Sequence, residues 1–172
     1  MSTPPSSERR GKSPRETQVE MVELVLPNDA NTMGNVLGGR VLHWIDLAAA
    51  IVAHRHSRTE AVTASMDEVS FLGPIRVGQL AVIAARMTYV GRTSMEIRVD
   101  VQSEDLLSGE RRQTSTAYLT FVAVDKAGQP TDVPPLLCET EEEKREARAA
   151  EARRAKRLRS RGLETPGEIP QR

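Results

Sequence analysis

One stretch of the chain is apolar on every side, and it predicts a buried helix. Between Arg40 and His54 the sequence reads Arg-Val-Leu-His-Trp-Ile-Asp-Leu-Ala-Ala-Ala-Ile-Val-Ala-His, with Ala, Leu, Ile and Val at nearly every position. A helix without a polar face is covered by protein on most sides. We therefore expect other elements to wrap around it.

The remaining core segments are β-prone and joined by turn residues. The residues from Ser94 to Ser103 alternate cleanly between apolar and polar side chains, which is typical of a strand with one buried face. Glycines at three of the joins favour hairpin connections. The five predicted strands are 19–26, 62–72, 78–90, 94–103 and 110–124.

The order of these elements predicts the fold class. One strand, one buried helix and four further strands give an α+β order without βαβ alternation. A curved antiparallel sheet wrapped around one long buried helix satisfies this order, and that arrangement is the hotdog fold. The domain is expected over residues 17–138.

Both ends of the chain differ from this domain. Residues 1–16 are rich in Ser, Pro and charge, which predicts disorder. Residues 139–172 form a charged tail, expected to be partly helical and then disordered, and no apolar stripe is visible that would dock its helix.

Composition narrows the partners and the location. Lys plus Arg and Asp plus Glu both number 24, so the net charge is near zero. The chain as a whole therefore has no electrostatic attraction to nucleic acid or anionic membranes. No apolar run approaches the roughly 20 residues that span a bilayer, and the N-terminus has no segment of signal-peptide type. A single cysteine, Cys138, suits a reducing compartment. A cytoplasmic protein without membrane or nucleic-acid contact is expected.

Two features of the predicted helix suggest chemistry. Asp46 is the only acidic residue inside an otherwise apolar helix, and a carboxylate away from water is costly unless it has a partner. Gly38 and Gly39 stand at the helix start, where free N–H groups can stabilise an oxyanion. Structural explanations stay open: Asp46 can bond to backbone groups, and the glycine pair can simply form a tight turn.

The spacing of these features indicates a site shared between subunits. Asp46 follows Gly39 by two helical turns, a rise of about 10 Å. That distance is too long for one chain to hold one small reacting centre with both. Two antiparallel copies of the helix across a two-fold axis would close the gap.

Several motifs in order resemble one family. They are similar to those of the bacterial YciA-type acyl-CoA thioesterases and the cytosolic brain-type acyl-CoA hydrolases, which are hotdog proteins, over about residues 27–134. The resemblance is carried by Asn31-Thr-Met-Gly-Asn35-Val-Leu-Gly38-Gly39, Asp46, Val69-Ser-Phe71-Leu-Gly-Pro74-Ile75, Val90-Gly91-Arg92-Thr93-Ser94 and Phe121-Val-Ala-Val-Asp125.

The resemblance implies hydrolysis of fatty acyl-CoA or related CoA thioesters. The catalytic Asp of the family falls on Asp46 and its catalytic Asn on Asn35 of a partner subunit, with the N–H groups near Gly38 and Gly39 polarising the carbonyl. It also implies that Arg92, Thr93 and Ser94 contact CoA phosphates. It further implies no metal, no cofactor beyond substrate CoA, and a homodimer or a larger assembly such as a hexamer.

Two other functions remain open. Hotdog proteins also include dehydratases and hydratases, for which His43 is the candidate histidine, and the fold alone does not exclude them. A non-catalytic module that binds acyl-CoA or a partner is the other. The preferred acyl chain is not readable from the sequence.

Overall fold

Five strands pair into one antiparallel sheet, and the predicted α+β fold with a sheet around one long helix is confirmed. The computed structural model describes residues 10–160 and residue 162. The sheet order is β1-β3-β4-β5-β2, so β1 and β2 are its edges. The strands are β1 (Val19–Leu24), β2 (Glu60–Met66), β3 (Leu80–Val90), β4 (Ser94–Glu104) and β5 (Arg111–Val124).

The alternation in β4 divides the sheet into two faces. Met95, Ile97, Val99 and Val101 are at most 1% exposed and belong to the hydrophobic core. The core continues through the inward residues of β3 and β5 and through the buried side of helix α1 (Gly38–Ser57). Burial of this apolar surface is the main contribution to the stability of the fold.

Helix α1 is largely buried, as predicted, but among the described residues a strip on one face stays exposed. Its inner face, which includes Ile45, Ala48 and Val52, is fully buried in the core. On the opposite face His43 is exposed and Leu47 is 42% exposed. The sheet contacts one side of the helix, and the described residues leave His43 and Leu47 on the other side exposed.

The N-terminal segment from residue 10 is structured, so the predicted disorder of residues 1–16 is wrong for residues 10–16. Lys12 forms a parallel bridge with Leu136, through hydrogen bonds from Lys12 N to Pro135 O (3.0 Å) and from Leu137 N to Lys12 O (2.9 Å). A 3-10 turn follows at Pro14–Glu16. Residues 1–9, 161 and 163–172, including most of the segment predicted to be disordered at the C-terminus, lie outside the described residues.

The charged tail forms a second helix, α2 (Glu141–Ser160), on the outer face of the sheet. Its start is set by a reciprocal cap: Glu143 N donates to Thr140 Oγ1 (3.1 Å) and Thr140 N donates to Glu143 Oε2 (3.0 Å). Arg86 of β3 and Arg98 of β4 both donate to Glu146 Oε1, at 2.6 and 2.8 Å. The predicted lack of an apolar stripe does not keep this helix from docking, because ion pairs hold it against the sheet.

Glu96 is the most deeply buried member of this charged contact. Its side chain is 1% exposed, and its two oxygens accept from Arg153 Nη2 and Arg157 Nη2, each at 2.7 Å. Thr88 Oγ1 adds a hydrogen bond to Oε1 at 2.9 Å. The Arg153 guanidinium also lies 3.8 Å from the centre of the Tyr118 ring, a cation–π contact. A buried carboxylate of β4 thus depends on two cations of α2.

His56 links the end of α1 to the segment before α2, and it predicts acid sensitivity. His56 Nε2 donates to Pro134 O (2.9 Å), while the buried Nδ1 has no hydrogen-bond partner among the described residues. Burial lowers the pKa of His56 below its usual 6.5. Since the unfolded chain takes up the proton first, stability is expected to fall as the pH drops from about 6.5 toward the lowered folded-state pKa.

Urea unfolding at several pH values checks this expectation. The His56→Gln variant, which keeps a donor near Pro134, should lose that part of the pH dependence, whereas His43→Gln at an exposed position should retain it. An identical pH profile for the wild type and His56→Gln would show that another group is responsible.

Candidate active site

Asp46 lies on the exposed side of α1, and one of its carboxylate oxygens accepts a hydrogen bond. Thr63 Oγ1 of β2 donates to Asp46 Oδ1 at 2.8 Å. Asp46 is half-buried, and its Oδ2 has no hydrogen-bond partner among the described residues. The carboxylate is therefore oriented by one hydroxyl, and its second oxygen is left for another donor. The sequence does not indicate a role for Thr63, because only the fold brings it to Asp46.

The loop before α1 is organised by Asn31. Its Oδ1 accepts hydrogen bonds from Met33 N (3.0 Å) and Asn35 N (3.1 Å), and Asn31 N donates to Asn35 O (2.8 Å). Gly34 has φ of +76° inside this turn, a value that glycine adopts readily. These bonds hold the side-chain amide of Asn31 through its oxygen, and its NH₂ group donates to none of the described residues.

Asn35 follows the same turn and is half-buried. Its backbone forms an isolated antiparallel bridge with Arg76. No hydrogen bond of its side chain occurs within the described part of the chain. The amide of Asn35 is thus available to a ligand or a partner, and none of the described residues orients it by a hydrogen bond.

The start of α1 presents unoccupied N–H groups. Leu37 caps the helix without a side-chain hydrogen bond, and its carbonyl accepts from Arg40 N and Val41 N. Within the described residues nothing accepts from the N–H groups of Gly38 and Gly39.

The glycine pair is not required for local backbone geometry. Neither Gly38 nor Gly39 has a positive φ. A Cβ at Gly39 would meet nothing within 4 Å, and one at Gly38 would meet only the Phe71 ring at 3.7 Å. The pair therefore leaves open space in front of the helix, as a bound carbonyl or a partner subunit requires.

The predicted CoA-binding turn lies elsewhere in the protomer. Arg92, Thr93 and Ser94 join β3 to β4, whereas Asn35 and Arg76 precede the other end of β3. The strand between them has 11 residues and is about 30 Å long. Arg92 is 76% exposed and pairs with Asp132 (Nη1 to Oδ1, 3.2 Å). One protomer does not bring this turn together with the helix start.

Other kinds of site have little support in the described residues. They include no group of three or more His, Cys, Asp or Glu side chains suited to a metal ion. His43, the candidate for dehydratase chemistry, forms no hydrogen bond or ion pair within the described part. Neither described helix is long and apolar enough to cross a membrane.

Comparison with known proteins identifies relatives of the whole domain. A family model described as the thioesterase superfamily matches residues 33–110. An acyl-CoA thioester hydrolase of Bacillus subtilis is 44% identical over 129 residues, covering 75% of each chain. The chain spans only about a third of the rat cytosolic acyl coenzyme A thioester hydrolase, which is 39% identical over 131 residues.

Solved structures show the same fold over nearly the full length. A hexameric acyl-CoA thioesterase superposes with a TM-score of 0.85 at 41% identity, covering 90% of this chain and 99% of that one. An acyl-CoA hydrolase from Staphylococcus aureus, solved with butyryl-CoA and CoA, gives a TM-score of 0.79 at 35% identity over 88% of this chain and 94% of that one.

Three further structures of the Staphylococcus aureus enzyme each carry one alanine substitution, of an aspartate, an asparagine and a threonine respectively. The asparagine lies fifteen residues before the aspartate, and the threonine lies seventeen residues after it. On the identity and coverage of these relatives, the chain belongs to the acyl-CoA thioesterases of the thioesterase superfamily, which is a family of thioester hydrolases.

Proposed function

We propose that the protein hydrolyses acyl-CoA thioesters to a free acid and CoA, with Asp46 as the general base or the nucleophile. The observation that carries this proposal is the Asp46 carboxylate, held by Thr63 at one oxygen and free at the other. A carboxylate in this state can take a proton from water or attack the carbonyl directly. The thiolate of CoA is a good leaving group, so no metal is needed in the step.

The N–H groups at the start of α1 would stabilise the oxyanion. The thioester carbonyl gains negative charge as the nucleophile attacks, and preorganised donors lower the barrier by meeting that charge. Gly38 and Gly39 offer two such donors with open space in front of them. Positively polarised N–H groups at a helix start favour an anion there.

The asparagine of the site has two candidates. Asn35 is the residue predicted from the sequence. Asn31 lies fifteen residues before Asp46 and Thr63 seventeen after it, the spacing of the three residues replaced in the Staphylococcus aureus enzyme. The fixed amide of Asn31 also suits the orientation of a water molecule or a carbonyl, because an immobilised donor needs no further ordering. Single Asn31→Ala and Asn35→Ala variants decide between the two.

A panel of acyl-CoA esters with the released thiol measured tests the function. A thioesterase releases one thiol per turnover, whereas a hydratase acts on an unsaturated acyl-CoA without releasing CoA. A binding module retains the ester unchanged. Absence of thiol release across short, medium and long acyl chains would overturn the proposed function.

The site is completed by a second copy of the chain. The exposed side of α1 lies beside edge strand β2, and exposed apolar side chains on these elements include Leu47 (42%) and Val62 (52%). Such a face is typical of a subunit interface. Antiparallel packing of two α1 helices would bring Asp46 of one protomer to the helix start of its partner. If the CoA-binding turn predicted from the sequence, Arg92, Thr93 and Ser94, takes part at all, it would reach the substrate in this arrangement only from the partner subunit.

Mixing two inactive variants tests the shared site. Asp46→Asn chains and chains with both Asn31→Ala and Asn35→Ala are each expected to be inactive. After refolding together, half of the dimers contain both kinds of chain, and each of these has one intact site of two. Activity should then recover to about a quarter of the wild-type value. Mixed dimers confirmed by mass spectrometry that stay inactive would place the whole site in one protomer.

A further inference from the structure

Two cavities meet at the segment that follows β2. Leu72, Gly73 and Pro74, together with Thr114 of β5, line both of them. The segment is tied to the sheet by a hydrogen bond from Leu72 N to Thr114 O (2.8 Å). The segment separates an apolar cavity of about 480 Å³ from a polar groove of about 590 Å³.

The apolar cavity opens at the start of α1. Gly38 and Val41 of the helix line it, with Phe71 and Ile75 opposite. Phe71 is 50% exposed and Leu72 is 74% exposed, so large apolar surface faces water in the protomer. A hydrocarbon chain placed here would cover this surface and gain stabilisation in proportion to the area buried.

Among its described lining residues, the polar groove has one cation that forms no ion pair. Its carboxylates have partners: Asp105 Oδ1 accepts from Leu107 N and from Ser108, and Glu110 Oε1 accepts from Arg112 Nε at 3.0 Å. Among the described residues of the lining, the Arg76 guanidinium alone is a cation without a carboxylate partner.

Arg76 also lies close to the candidate site. Its backbone pairs with Asn35 in an antiparallel bridge, which sets their Cα atoms roughly 5 Å apart. Arg92, in contrast, is engaged with Asp132 at the far end of β3. Among the described residues, Arg76 is thus a cation without a carboxylate partner, and its backbone is bridged to the loop that leads into α1.

Resting on the proposed thioesterase function, we infer that the substrate lies across the Leu72–Pro74 segment. The acyl chain occupies the apolar cavity, and the phosphates of CoA lie in the polar groove against Arg76. Arg forms charge-assisted, bidentate hydrogen bonds with phosphate, and these are stronger than neutral ones. The assignment gives one protomer both ends of the amphiphilic substrate.

Kinetics with two thioesters test the phosphate end. Arg76→Ala is expected to raise KM for acyl-CoA by about tenfold to a hundredfold, the range of a lost charged hydrogen bond. KM for the matching acyl-pantetheine, which has no nucleotide phosphates, should not change. Arg145→Ala, an exposed position on α2, is the control and should change neither. Titration calorimetry with CoA alone should show the same loss of affinity for Arg76→Ala.

Two results would overturn the inference. An equal effect of Arg76→Ala on both thioesters would make Arg76 a structural residue. A larger rise in KM for acyl-CoA with Arg92→Ala than with Arg76→Ala would assign the phosphates to the β3–β4 turn. In both cases the wild-type protein still releases thiol from acyl-CoA, so the proposed function would stand.

Chain-length preference tests the acyl end. Phe71→Ala removes an apolar wall, so kcat/KM for long acyl chains should fall roughly tenfold relative to acetyl-CoA, whose short chain does not reach that wall. Leu107→Ala, at a fully exposed leucine of another turn, is the control. An unchanged ratio between long and short chains in Phe71→Ala would exclude this cavity as the acyl site.

Discussion

Replacing Arg153 and Arg157 together by methionine is expected to lower the free energy of unfolding by about 3 kcal/mol. Removing the partners of a buried ion pair costs about 3–5 kcal/mol, because the remaining charge is left without compensation. Glu96 is 1% exposed and both of its oxygens depend on these two arginines. Undocking of α2 would let water reach Glu96, which keeps the expected loss near the lower end of that range.

A third substitution separates charge from helix packing. Adding Glu96→Leu to the double variant removes the stranded carboxylate and should restore most of the lost stability, because an apolar residue of similar size often replaces a buried charge at little cost. Arg148→Met with Lys156→Met, at exposed positions of the same helix, is the control and should stay within about 0.5 kcal/mol. Urea unfolding followed by circular dichroism measures all four proteins.

The ion pairs of α2 also bear on the stability of a chain that lacks this helix. From the sequence alone, a chain ending at Cys138 would be expected to keep its stability, because α2 lacks an apolar stripe. The described ion pairs of Glu146, Arg153 and Arg157 instead make α2 part of the domain's outer layer. Wild-type stability in the double methionine variant would mean that α2 is not docked as described.

The hydrophobic pattern predicted the core well and the outer layer poorly. Met95, Ile97, Val99 and Val101 were expected on the buried face of a strand, and all four are buried. The same alternation predicted that Glu96 faces solvent. Glu96 does point away from the core, yet α2 covers it through charged contacts. Periodicity detects apolar faces, so a helix that docks through ion pairs leaves no signal in it.

In the candidate site, too, residues close in sequence were predicted, and those brought together only by the fold were not. The helix with Asp46, and the glycines at its start, were readable because they are close in sequence. Thr63 was not predicted, since the pairing of β2 with β5 and the packing against α1 place it beside Asp46. The exposed side of α1 was also missed, because an apolar pattern does not distinguish cover by the same chain from cover by a partner.

Asp46→Asn is expected to lower kcat by about a hundredfold or more, the range of a lost general base. An asparagine has nearly the same shape and keeps an oxygen that accepts from Thr63, so the fold and the local hydrogen bond should persist. It cannot take a proton from water and is a poor nucleophile. The rate of thiol release at saturating acyl-CoA measures the effect, and an unchanged urea midpoint shows that stability is not its cause.

Thr63 variants give the matched control for this result. Thr63→Val removes the hydroxyl that orients Asp46 Oδ1 and should lower kcat by roughly tenfold, less than the loss of the carboxylate itself, since a positioning bond is worth about one neutral hydrogen bond. Thr63→Ser keeps the hydroxyl and should retain most of the activity. KM should change little in each case, because neither residue is placed against the CoA phosphates. Near-normal turnover in Asp46→Asn would show that Asp46 is neither base nor nucleophile, and the chemistry would then have to come from another group.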